Sequence, residues 1–313
     1  MMPSDDPFDS SILPPARQGS VVALGNFDGV HLGHGAVLRT ALTQAQQKGG
    51  GVQALTFEPH PRFLFQKDEA PFLLTPPDMK ARLLKEVGAD EVVVLPFTPA
   101  FAALSAEDFV KHVLLETYAP AHVVVGFDFV FGAARTGNCA LLRDLLASHG
   151  IGLSEVPPWK DTRGQVVSST RVREALRRGD PLLARQLLGR PFAIEGKVLH
   201  GDKRGQEIGF PTANIDMGPF IRPLFGVYAA KVRHAGDEEA KPAVVNIGVR
   251  PTVDGSRELM EAHILDFDQD IYGQNWSIEL WAFMRPEKKF PDLEALKAQI
   301  TKDAAEAHRF SGL

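Results

Sequence analysis

The feature that most restricts the fold is a short segment near residue 30, where a predicted strand leads through glycines into a predicted helix. Apolar Val21–Leu24 form the strand, Gly25 begins the turn, and residues 34–48 have helical periodicity. His31 and His34 lie three residues apart, so both rings can share one helical face. The free N–H groups of a helix N-terminus favour a bound phosphate. The segment therefore predicts a phosphate-binding turn rather than a plain glycine turn with two solvated histidines.

Composition and charge restrict the class of protein. At 313 residues the chain is long enough for two domains, and its hydrophobic fraction of 44% and charged fraction of 23% are those of a globular protein. The net charge of −5 provides no basic surface for nucleic acid. A single cysteine, Cys139, excludes an internal disulfide, and we expect it to be a small buried residue.

The sequence shows no apolar run of transmembrane length and no signal-peptide pattern. Residues 1–18 are instead rich in proline and aspartate, which predicts a flexible tail. We expect a cytoplasmic monomer or weak homo-oligomer with no nucleic-acid or membrane partner.

Residues 20 to about 189 alternate short apolar runs with longer helix-period runs. The predicted strands cover residues 21–24, 52–57, 92–95, 123–127 and 152–156. Their β-branched continuity favours a parallel sheet covered on both faces. Thr75 and Ser105 can each cap a helix, and residues 138–149 form another. This half is predicted to be a Rossmann-like, doubly wound α/β domain.

The pattern changes near Gly189 to segments typical of an antiparallel sheet. The predicted strands cover residues 192–200, 227–233, 243–247, 259–265 and 276–284. A final helix runs from Asp292 to about Ala307. This half is predicted to be a small antiparallel β-barrel, or an open sheet, with a terminal helix. We place the first domain at residues 19–184 and the second at 185–313, with a helical bridge over residues 169–188.

Aromatic residues follow the fourth predicted strand. Phe127, Phe129 and Phe131 lie at alternate positions between two glycines, and Arg135 follows them. Such a set forms either part of the core or the wall of a site for a planar ring, and the pattern alone favours neither.

Hydroxyl residues begin the helical bridge. Ser168, Ser169 and Thr170 can direct side chains and N–H groups at one anion, and Arg173 follows one turn later. Taken alone, this pattern is more typical of an ordinary helix cap with surface arginines.

A second glycine-containing segment lies early in the β-rich half. Gly201 and Gly209 permit a loop that wraps around phosphates. Thr212 and Asn214 lie two residues apart, so an extended backbone directs their oxygens to one side, where a hard cation can bind together with ATP. A β-turn followed by a strand is the alternative, and Pro-Thr-Ala-Asn is a poor strand sequence.

Two polar residues share one face of a predicted strand. Glu261 and His263 alternate with Ala262 and Ile264. Such alternation is commonly no more than a solvated strand face. It also suits a carboxylate that acts as general base toward a primary alcohol.

The segment GNFDGVHLGH around the two histidines resembles the HxGH signature of the nucleotidyltransferase superfamily. Its full wording is similar to the N-terminal half of bacterial bifunctional riboflavin kinases/FMN adenylyltransferases, also called FAD synthetases. The segments GFDFVFGAARTG and SSTRVR resemble two further motifs of that half. Val130 and Ala133 stand where the family pattern carries Arg and Lys.

This resemblance implies that the phosphate of FMN attacks the α-phosphorus of ATP and that pyrophosphate leaves. His31, His34 and Arg173 would then stabilise the reacting phosphates. The residues implied to bind ATP are Gly25, Asn26, Phe27, Asp28, Ser168, Ser169 and Thr170. Those implied to bind the flavin are Phe127, Asp128, Phe129 and Arg135.

The second half resembles riboflavin kinases along nearly its whole length, with the motifs HGDKRGQEIGFPTANI, GVYA, NIGVRPT, MEAHILDF, DIYG and RPEKKF in family order. The residues implied to bind ATP are Gly201, Gly209, Thr212 and Asn214, the last two together with Mg²⁺. The resemblance also implies that Glu261 is the catalytic base and that Arg285 lies by the flavin phosphate. Gln206 replaces an arginine that is usual in bacterial members.

The resemblances together predict an enzyme that phosphorylates riboflavin to FMN and then adenylylates FMN to FAD, with Mg²⁺ and ATP. One alternative is another small-molecule nucleotidyltransferase whose β domain binds a flavin as regulator. A second is a non-catalytic flavin-binding protein. A class I tRNA synthetase has similar HIGH-like and serine-rich motifs, but this acidic chain is too short for one.

Overall fold

The computed structural model describes residues 12–15, 17–65, 70–199, 209–234, 237, 239–252 and 255–310. Contacts among them define two compact units. The sheet unit contains the described residues of Met1–Ala70 and Thr75–Ser168, and the barrel unit those of Pro71–Leu74 and Ser169–Leu313. In this part of the chain, no helix combines the length and apolar character that crossing a membrane demands.

The sheet unit is built on a parallel five-stranded sheet with the strand order β3-β2-β1-β4-β5. Its strands are β1 (Val21–Leu24), β2 (Val52–Glu58), β3 (Glu91–Pro96), β4 (His122–Gly126) and β5 (Gly152–Val156). Its helices are α1 (Leu32–Lys48), α2 (Pro61–Phe65), α3 (Pro77–Glu86), α4 (Pro99–Ala102), α5 (Ala106–Asp108) and α6 (Cys139–Ala147), with a π-helix at Phe109–Tyr118 and a 3₁₀ turn at Ala133–Arg135. The predicted Rossmann-like α/β class is confirmed.

The central strand β1 is fully buried because helices cover both faces of the sheet. Val22 and Leu24 on one face pack into a cluster with the π-helix and α6, to which Val113 and Leu142 contribute. Burying each such side chain contributes about 1.5–3 kcal/mol. The sheet therefore holds the C-terminal end of β1, where the histidine segment begins, in a fixed position.

Helix starts follow the sequence signals at two of three places. Ser105 accepts a hydrogen bond from the Asp108 N–H, and Asn138 caps α6 in the same way through Leu141. The expected cap at Thr75 is wrong, because α3 begins at Pro77 and Pro76 precedes it. The Thr75 side chain is instead used in a long-range contact with the loop after β1.

Part of the segment predicted to be a loose tail packs against the sheet unit. Leu13 is buried in the cluster beneath the sheet, and the Tyr118 hydroxyl donates a hydrogen bond of 3.1 Å to the Pro14 carbonyl. An apolar side chain and a buried phenol that needs an acceptor hold these residues in place. Residues 1–11 and 16 lie outside the described part of the chain.

His122 is a buried titratable group at the start of β4. Its Nε2 lies 2.8 Å from the Ser154 hydroxyl, and its Nδ1 has no hydrogen-bond partner among the described residues. Burial lowers the pKa of His122 below its ordinary value of 6.5, and the positive charge of Lys48 lowers it further.

We expect the unfolding free energy to fall as pH drops below 6.5, because the unfolded chain protonates His122 more readily than the folded chain does. The contribution of neutral His122 to the unfolding free energy is fully present above its unfolded-state pKa. It is lost as the pH falls through the lower folded-state pKa. His122→Gln removes the titration, so urea unfolding between about pH 7.5 and about pH 5.5 should show a weaker dependence in the variant. If the unfolding free energy changes with pH equally in the wild type and the variant, the prediction is contradicted.

The barrel unit is a closed antiparallel barrel with the strand order β10-β7-β6-β11-β8-β9. Its strands are β6 (Phe192–Leu199), β7 (Ala213–Ile215), β8 (Gly226–His234), β9 (Lys241–Thr252), β10 (Gly255–Ile264) and β11 (Asn275–Arg285). Its helices are α7 (Ser169–Arg177), α8 (Pro181–Leu188) and α9 (Leu293–Arg309). The barrel with a terminal helix is confirmed, and Asp292 caps that helix by accepting a hydrogen bond from the Ala295 N–H.

Strand β7 corrects the expectation that Pro-Thr-Ala-Asn disfavours a strand. Ala213 pairs with Ala262 on β10, and Leu199 on β6 pairs with Asn214. The short segment is therefore held extended by a neighbour on each side, which closes the barrel. Tertiary pairing of this kind overrides weak intrinsic β-propensity.

Helices α7 and α8 of the predicted bridge pack within the barrel unit. The Leu224 N–H donates to the Leu176 carbonyl, and the Arg185 guanidinium lies 4.3 Å from the centre of the Trp281 ring. The same ring contacts Lys231 at 3.9 Å on the barrel wall. The boundary between the two activities near residue 184 stays a prediction.

Candidate functional site

His31 and His34 form a stacked pair at the start of α1. Their ring centres lie 3.6 Å apart with an interplanar angle of 17°. His31 is the N-cap residue, and its Nδ1 accepts a hydrogen bond of 3.3 Å from the His34 N–H. Because Nδ1 accepts, the neutral ring carries its proton on Nε2. The structure thus brings the two histidines together at the helix N-terminus, as the sequence predicted.

Gly33 makes room for the His31 ring. A Cβ at this position would lie 3.0 Å from His31 Cε1 and 3.1 Å from its Nδ1. The His31 ring therefore packs closely over the first turn of α1, and a side chain at residue 33 would press on it. Gly35, two residues later, faces only the end of the flexible Arg39 side chain.

The loop between β1 and α1 is pinned by a buried carboxylate. Asp28 Oδ1 accepts hydrogen bonds from the Thr75 N–H at 2.9 Å and from its hydroxyl at 3.2 Å. The Gly29 N–H donates in turn to the Thr75 hydroxyl at 2.9 Å. Both side chains are buried, so the observed role of Asp28 is to fix the loop. Its predicted contact with ATP stays a prediction.

The same loop contains two residues in the left-handed region. Phe27 has φ 52° and Val30 has φ 40°, and a β-branched residue rarely adopts such a conformation. Phe27 packs edge-on against the His34 ring at 5.2 Å, and a Cβ on Gly25 would lie 2.9 Å from the Phe27 ring. The Thr56 hydroxyl fixes the Asn26 carbonyl at 2.9 Å. The loop is thus strained and tightly held, which is common at binding sites.

The aromatic segment after β4 divides between core and surface. Phe131 is buried and stacks on Phe129 with ring centres 5.7 Å apart, whereas Phe127 is 42% exposed. Asp128 and Arg135 are exposed as well. The inner ring therefore fills the core and the outer ring remains accessible, and the predicted contact of Phe127 with a flavin stays a prediction.

Cys139 lies beneath this aromatic segment. Its thiol lies 3.6 Å from the Gly126 carbonyl and 3.7 Å from that of Phe129. Burial raises the pKa of this thiol, so the residue is an inert part of the core.

The serine-rich segment spans the two units. Ser168 belongs to the sheet unit, whereas Ser169, Thr170 and Arg173 belong to the barrel unit, where α7 begins at Ser169. Arg173 is buried, and its Nε donates 2.9 Å to the Phe72 carbonyl. The convergence of these residues with the two histidines on one nucleotide stays a prediction.

In the barrel unit, one row of paired residues crosses five neighbouring strands, and four of its five members are polar. Asn214 on β7 pairs with Glu261 on β10, Glu261 pairs with Asn246 on β9, and Asn246 pairs with Val227 on β8. Val227 pairs in turn with Arg285 on β11. Directly paired residues share a face of the sheet, and adjacent strands lie about 4.8 Å apart.

This row lies on the outer face of the barrel, beside helix α9. Val244, two residues before Asn246 on β9, packs with Val227 against Ala307 of that helix. Ala262 is buried beside the partly exposed Glu261, which confirms the predicted alternation on β10.

Other predicted site residues lie close to the Asn214 end of the row. Thr212 directly precedes β7, and the Pro211 carbonyl lies 2.8 Å from His263 Nδ1. Gly209 is exposed with φ 88°, a conformation that favours glycine. Gly201 and Gln206 lie outside the described residues.

Arg285 at the far end of the row is anchored to α9. Its Nη2 donates 2.7 Å to Asp303 Oδ2, and its Nε donates 3.1 Å to the same oxygen. Asp303 is buried and also accepts from Gln299. The pair therefore fixes the helix to the barrel, and the predicted contact of Arg285 with the flavin stays a prediction.

The predicted cation donors near β7 are a hydroxyl and an amide oxygen, from Thr212 and Asn214. Hard cations such as Mg²⁺ prefer these oxygen ligands and complete their shell with water and phosphate oxygens. The described residues contain no cluster of three or more His, Cys, Asp or Glu that could hold a metal by themselves. The donor set thus fits a cation that arrives with a nucleotide.

Comparisons with known proteins agree with this two-part architecture. A family model described as FAD synthetase matches residues 13–171, and one described as riboflavin kinase matches residues 188–311. Both families are transferases of flavin-cofactor biosynthesis.

Curated relatives match almost the whole chain. A bifunctional riboflavin kinase/FMN adenylyltransferase of Escherichia coli (strain K12) is 41% identical over 297 residues, which covers 95% of this chain and 94% of the relative. A protein of the same description from Bacillus subtilis (strain 168) is 39% identical, covering 93% and 92%. This chain belongs to the family of bifunctional riboflavin kinases/FMN adenylyltransferases.

A solved structure shares the fold over the full length. The crystal structure of a Streptococcus pneumoniae protein, described as a macrolide-efflux protein, superposes with a TM-score of 0.85 at 30% sequence identity. The match covers 96% of each chain.

Proposed function

We propose that this chain carries out both reactions of its family at two separate sites. It transfers the γ-phosphoryl group of ATP to riboflavin, which gives FMN, and the AMP moiety of a second ATP to FMN, which gives FAD. The observation that carries the proposal is the in-register row of Asn214, Glu261 and Asn246 in one unit, together with the stacked His31–His34 pair in the other.

In adenylyl transfer, a phosphate oxygen of FMN attacks the α-phosphorus of ATP and pyrophosphate leaves. No covalent enzyme group is needed, so catalysis depends on positioning and on stabilising the developing charge. His31 and His34 direct ring N–H groups at the phosphates from the helix N-terminus, where the helix dipole also favours negative charge. The exposed Phe127 ring contacts the flavin.

In riboflavin phosphorylation, the oxygen of the ribityl 5′-hydroxyl attacks the γ-phosphorus of ATP. Glu261 accepts the proton of that hydroxyl, and ADP leaves. Asn214 and Thr212 would hold Mg²⁺ with the ATP phosphates, and Mg²⁺ would supply charge neutralisation of the transferring group. Arg285 lies at the flavin end of the row. The row thus orders nucleotide, base and acceptor across neighbouring strands.

The direct test is incubation of the purified chain with riboflavin, ATP and MgCl₂, followed by chromatography for FMN and FAD. We expect FMN to appear first and FAD to follow, and we expect EDTA to stop both reactions. Formation of FAD from FMN without any phosphorylation of riboflavin would favour a nucleotidyltransferase whose barrel only binds flavin. We propose further that the chain acts in the cytoplasm as a monomer or weak homo-oligomer.

Gly33→Ala is expected to lower FAD formation from FMN by up to about 10-fold, less than the roughly 10²-fold cost of a misplacement of about 1 Å. The new Cβ would lie 3.0 Å from the His31 ring and shift it slightly from its position over α1. Riboflavin phosphorylation in the same variant should be unchanged.

Gly35→Ala is the matched control, since its Cβ would meet only the movable end of Arg39 at 3.1 Å. Both substitutions raise helix propensity, and in Gly33→Ala this gain offsets part of any weakening of the His31 cap. Thermal stability is therefore measured for both variants beside their activity. Equal FAD synthesis by the Gly33→Ala and Gly35→Ala variants would contradict the role of Gly33.

A further inference from the structure

Asn246 is the polar residue of the barrel row that lies between Glu261 and Val227. It lies on β9 directly opposite Glu261, on the side of Glu261 away from Asn214. It is neither fully buried nor fully exposed, and Val227, its partner on β8, is apolar. Its amide is therefore the polar group that follows Glu261 along the row.

A carboxylate fixes the orientation of this amide. Asn246 Nδ2 donates a hydrogen bond of 3.1 Å to Glu287 Oε1. An ionised carboxylate can only accept hydrogen bonds, so the NH₂ end of the amide must face Glu287. Asn246 Oδ1 is therefore turned away from Glu287, and no described residue donates a hydrogen bond to it.

The backbone under Glu287 is shaped to receive the carboxylate. Gly248 follows Asn246 on the same face of β9, and a Cβ there would overlap the Glu287 carboxylate. Any side chain at residue 248 would displace Glu287 from Asn246. A glycine, a carboxylate and an amide from two separate segments thus act together to aim one carbonyl oxygen.

The order of the row assigns this oxygen to the acceptor substrate. In phosphoryl transfer, donor and acceptor approach the phosphorus from opposite sides. With ATP on the Asn214 side of Glu261, the acceptor molecule extends from its reacting hydroxyl toward Asn246. The chain that carries that hydroxyl in riboflavin is a polyol, whose hydroxyl groups donate hydrogen bonds.

We propose that Asn246 binds the ribityl chain of riboflavin, with Oδ1 accepting a hydrogen bond from a secondary hydroxyl, and that Glu287 is the positioning residue for this amide. The proposal rests on the kinase function proposed above. Asn246 would then make the kinase site specific for a polyol chain next to the reacting hydroxyl.

The test measures phosphorylation of riboflavin and of analogues that each lack one secondary ribityl hydroxyl. The wild-type enzyme should prefer riboflavin over one such analogue by about 2- to 12-fold in kcat/KM, the effect of one neutral hydrogen bond. Asn246→Ala should abolish that preference, raise KM for riboflavin by a similar factor and leave KM for ATP unchanged. Asn246→Ser, with a smaller acceptor, is the second variant.

Glu287→Gln should weaken the preference for riboflavin over that analogue. A glutamine amide both donates and accepts hydrogen bonds, so the Asn246 amide can bind it in either of its two orientations. The Asn246→Ala/Glu287→Gln double variant should be no worse than Asn246→Ala alone. Glu294→Gln, a surface carboxylate on α9, is the control. Equal loss with all acceptors, or no change in discrimination, would overturn the proposal. The wild-type chain distinguishes the two levels. If it does not phosphorylate riboflavin at all, the proposed function fails, whereas an active wild type with unchanged discrimination in the Asn246 variants overturns only this inference.

Discussion

Glu261→Gln is expected to lower the rate of riboflavin phosphorylation by about 10²–10⁴-fold, the range of general-base catalysis. Glutamine keeps the size of the side chain and its ability to form hydrogen bonds, but it cannot accept the hydroxyl proton. The position between Asn214 and Asn246 is unchanged by the substitution, so riboflavin affinity should change little. The measurement is single-turnover phosphorylation with separate determination of riboflavin binding.

Two controls separate this effect from general damage. FAD synthesis from supplied FMN should be unchanged in the Glu261→Gln variant, because that reaction is assigned to the other unit. Glu258→Gln removes a carboxylate from the same strand β10, where it pairs with Arg222 at 2.7 Å, and should leave phosphorylation near wild type. A kinase loss below about threefold, far short of the general-base range, would transfer the role to another residue, with His263 next.

Local chemistry in the sequence was sufficient to predict most elements. The caps at Ser105, Asn138 and Asp292 were predictable because a short polar side chain satisfies an N–H group only two or three residues away. The alternation on β10 is also a local property, because successive side chains of a strand point to opposite faces, which puts Glu261 and His263 on one face.

Features that depend on distant residues could not be predicted in this way. Thr75 has the properties of a helix cap, yet its side chain bonds to Asp28, which is 47 residues away in the sequence. Strand β7 exists because neighbours on both sides hold it, although its composition disfavours a strand. No pattern in a single sequence predicts either of these contacts.

The barrel row shows the same distinction at the candidate site. Motif resemblance indicated Asn214, Glu261 and Arg285 separately, but their order across the barrel follows from strand register alone. Asn246 lies in the motif NIGVRPT, but the contact that orients its amide is with Glu287, 41 residues away. Contacts between residues so far apart in the sequence depend on tertiary structure, so the sequence alone does not suggest the role that we propose for Asn246.

Replacing both His31 and His34 is expected to reduce FAD formation from FMN by at least about 10²–10³-fold, the effect of removing a preorganised donor from a transition state. The two rings stack at 3.6 Å, so they act as one group and single replacements should not be additive. The assay follows pyrophosphate release and FAD from supplied FMN and ATP.

The design must separate chemistry from helix stability, because His31 also caps α1 through its Nδ1. His31→Ala removes that cap, which costs about 0.5–2 kcal/mol, whereas His31→Asn replaces it with another acceptor of the same hydrogen bond. The His31→Asn/His34→Ala variant should therefore keep the thermal stability of the wild type and still fail to make FAD. Riboflavin phosphorylation should persist in the same protein. Near-normal FAD output from this variant would show that the histidine pair serves the fold of the loop and not the transfer of AMP.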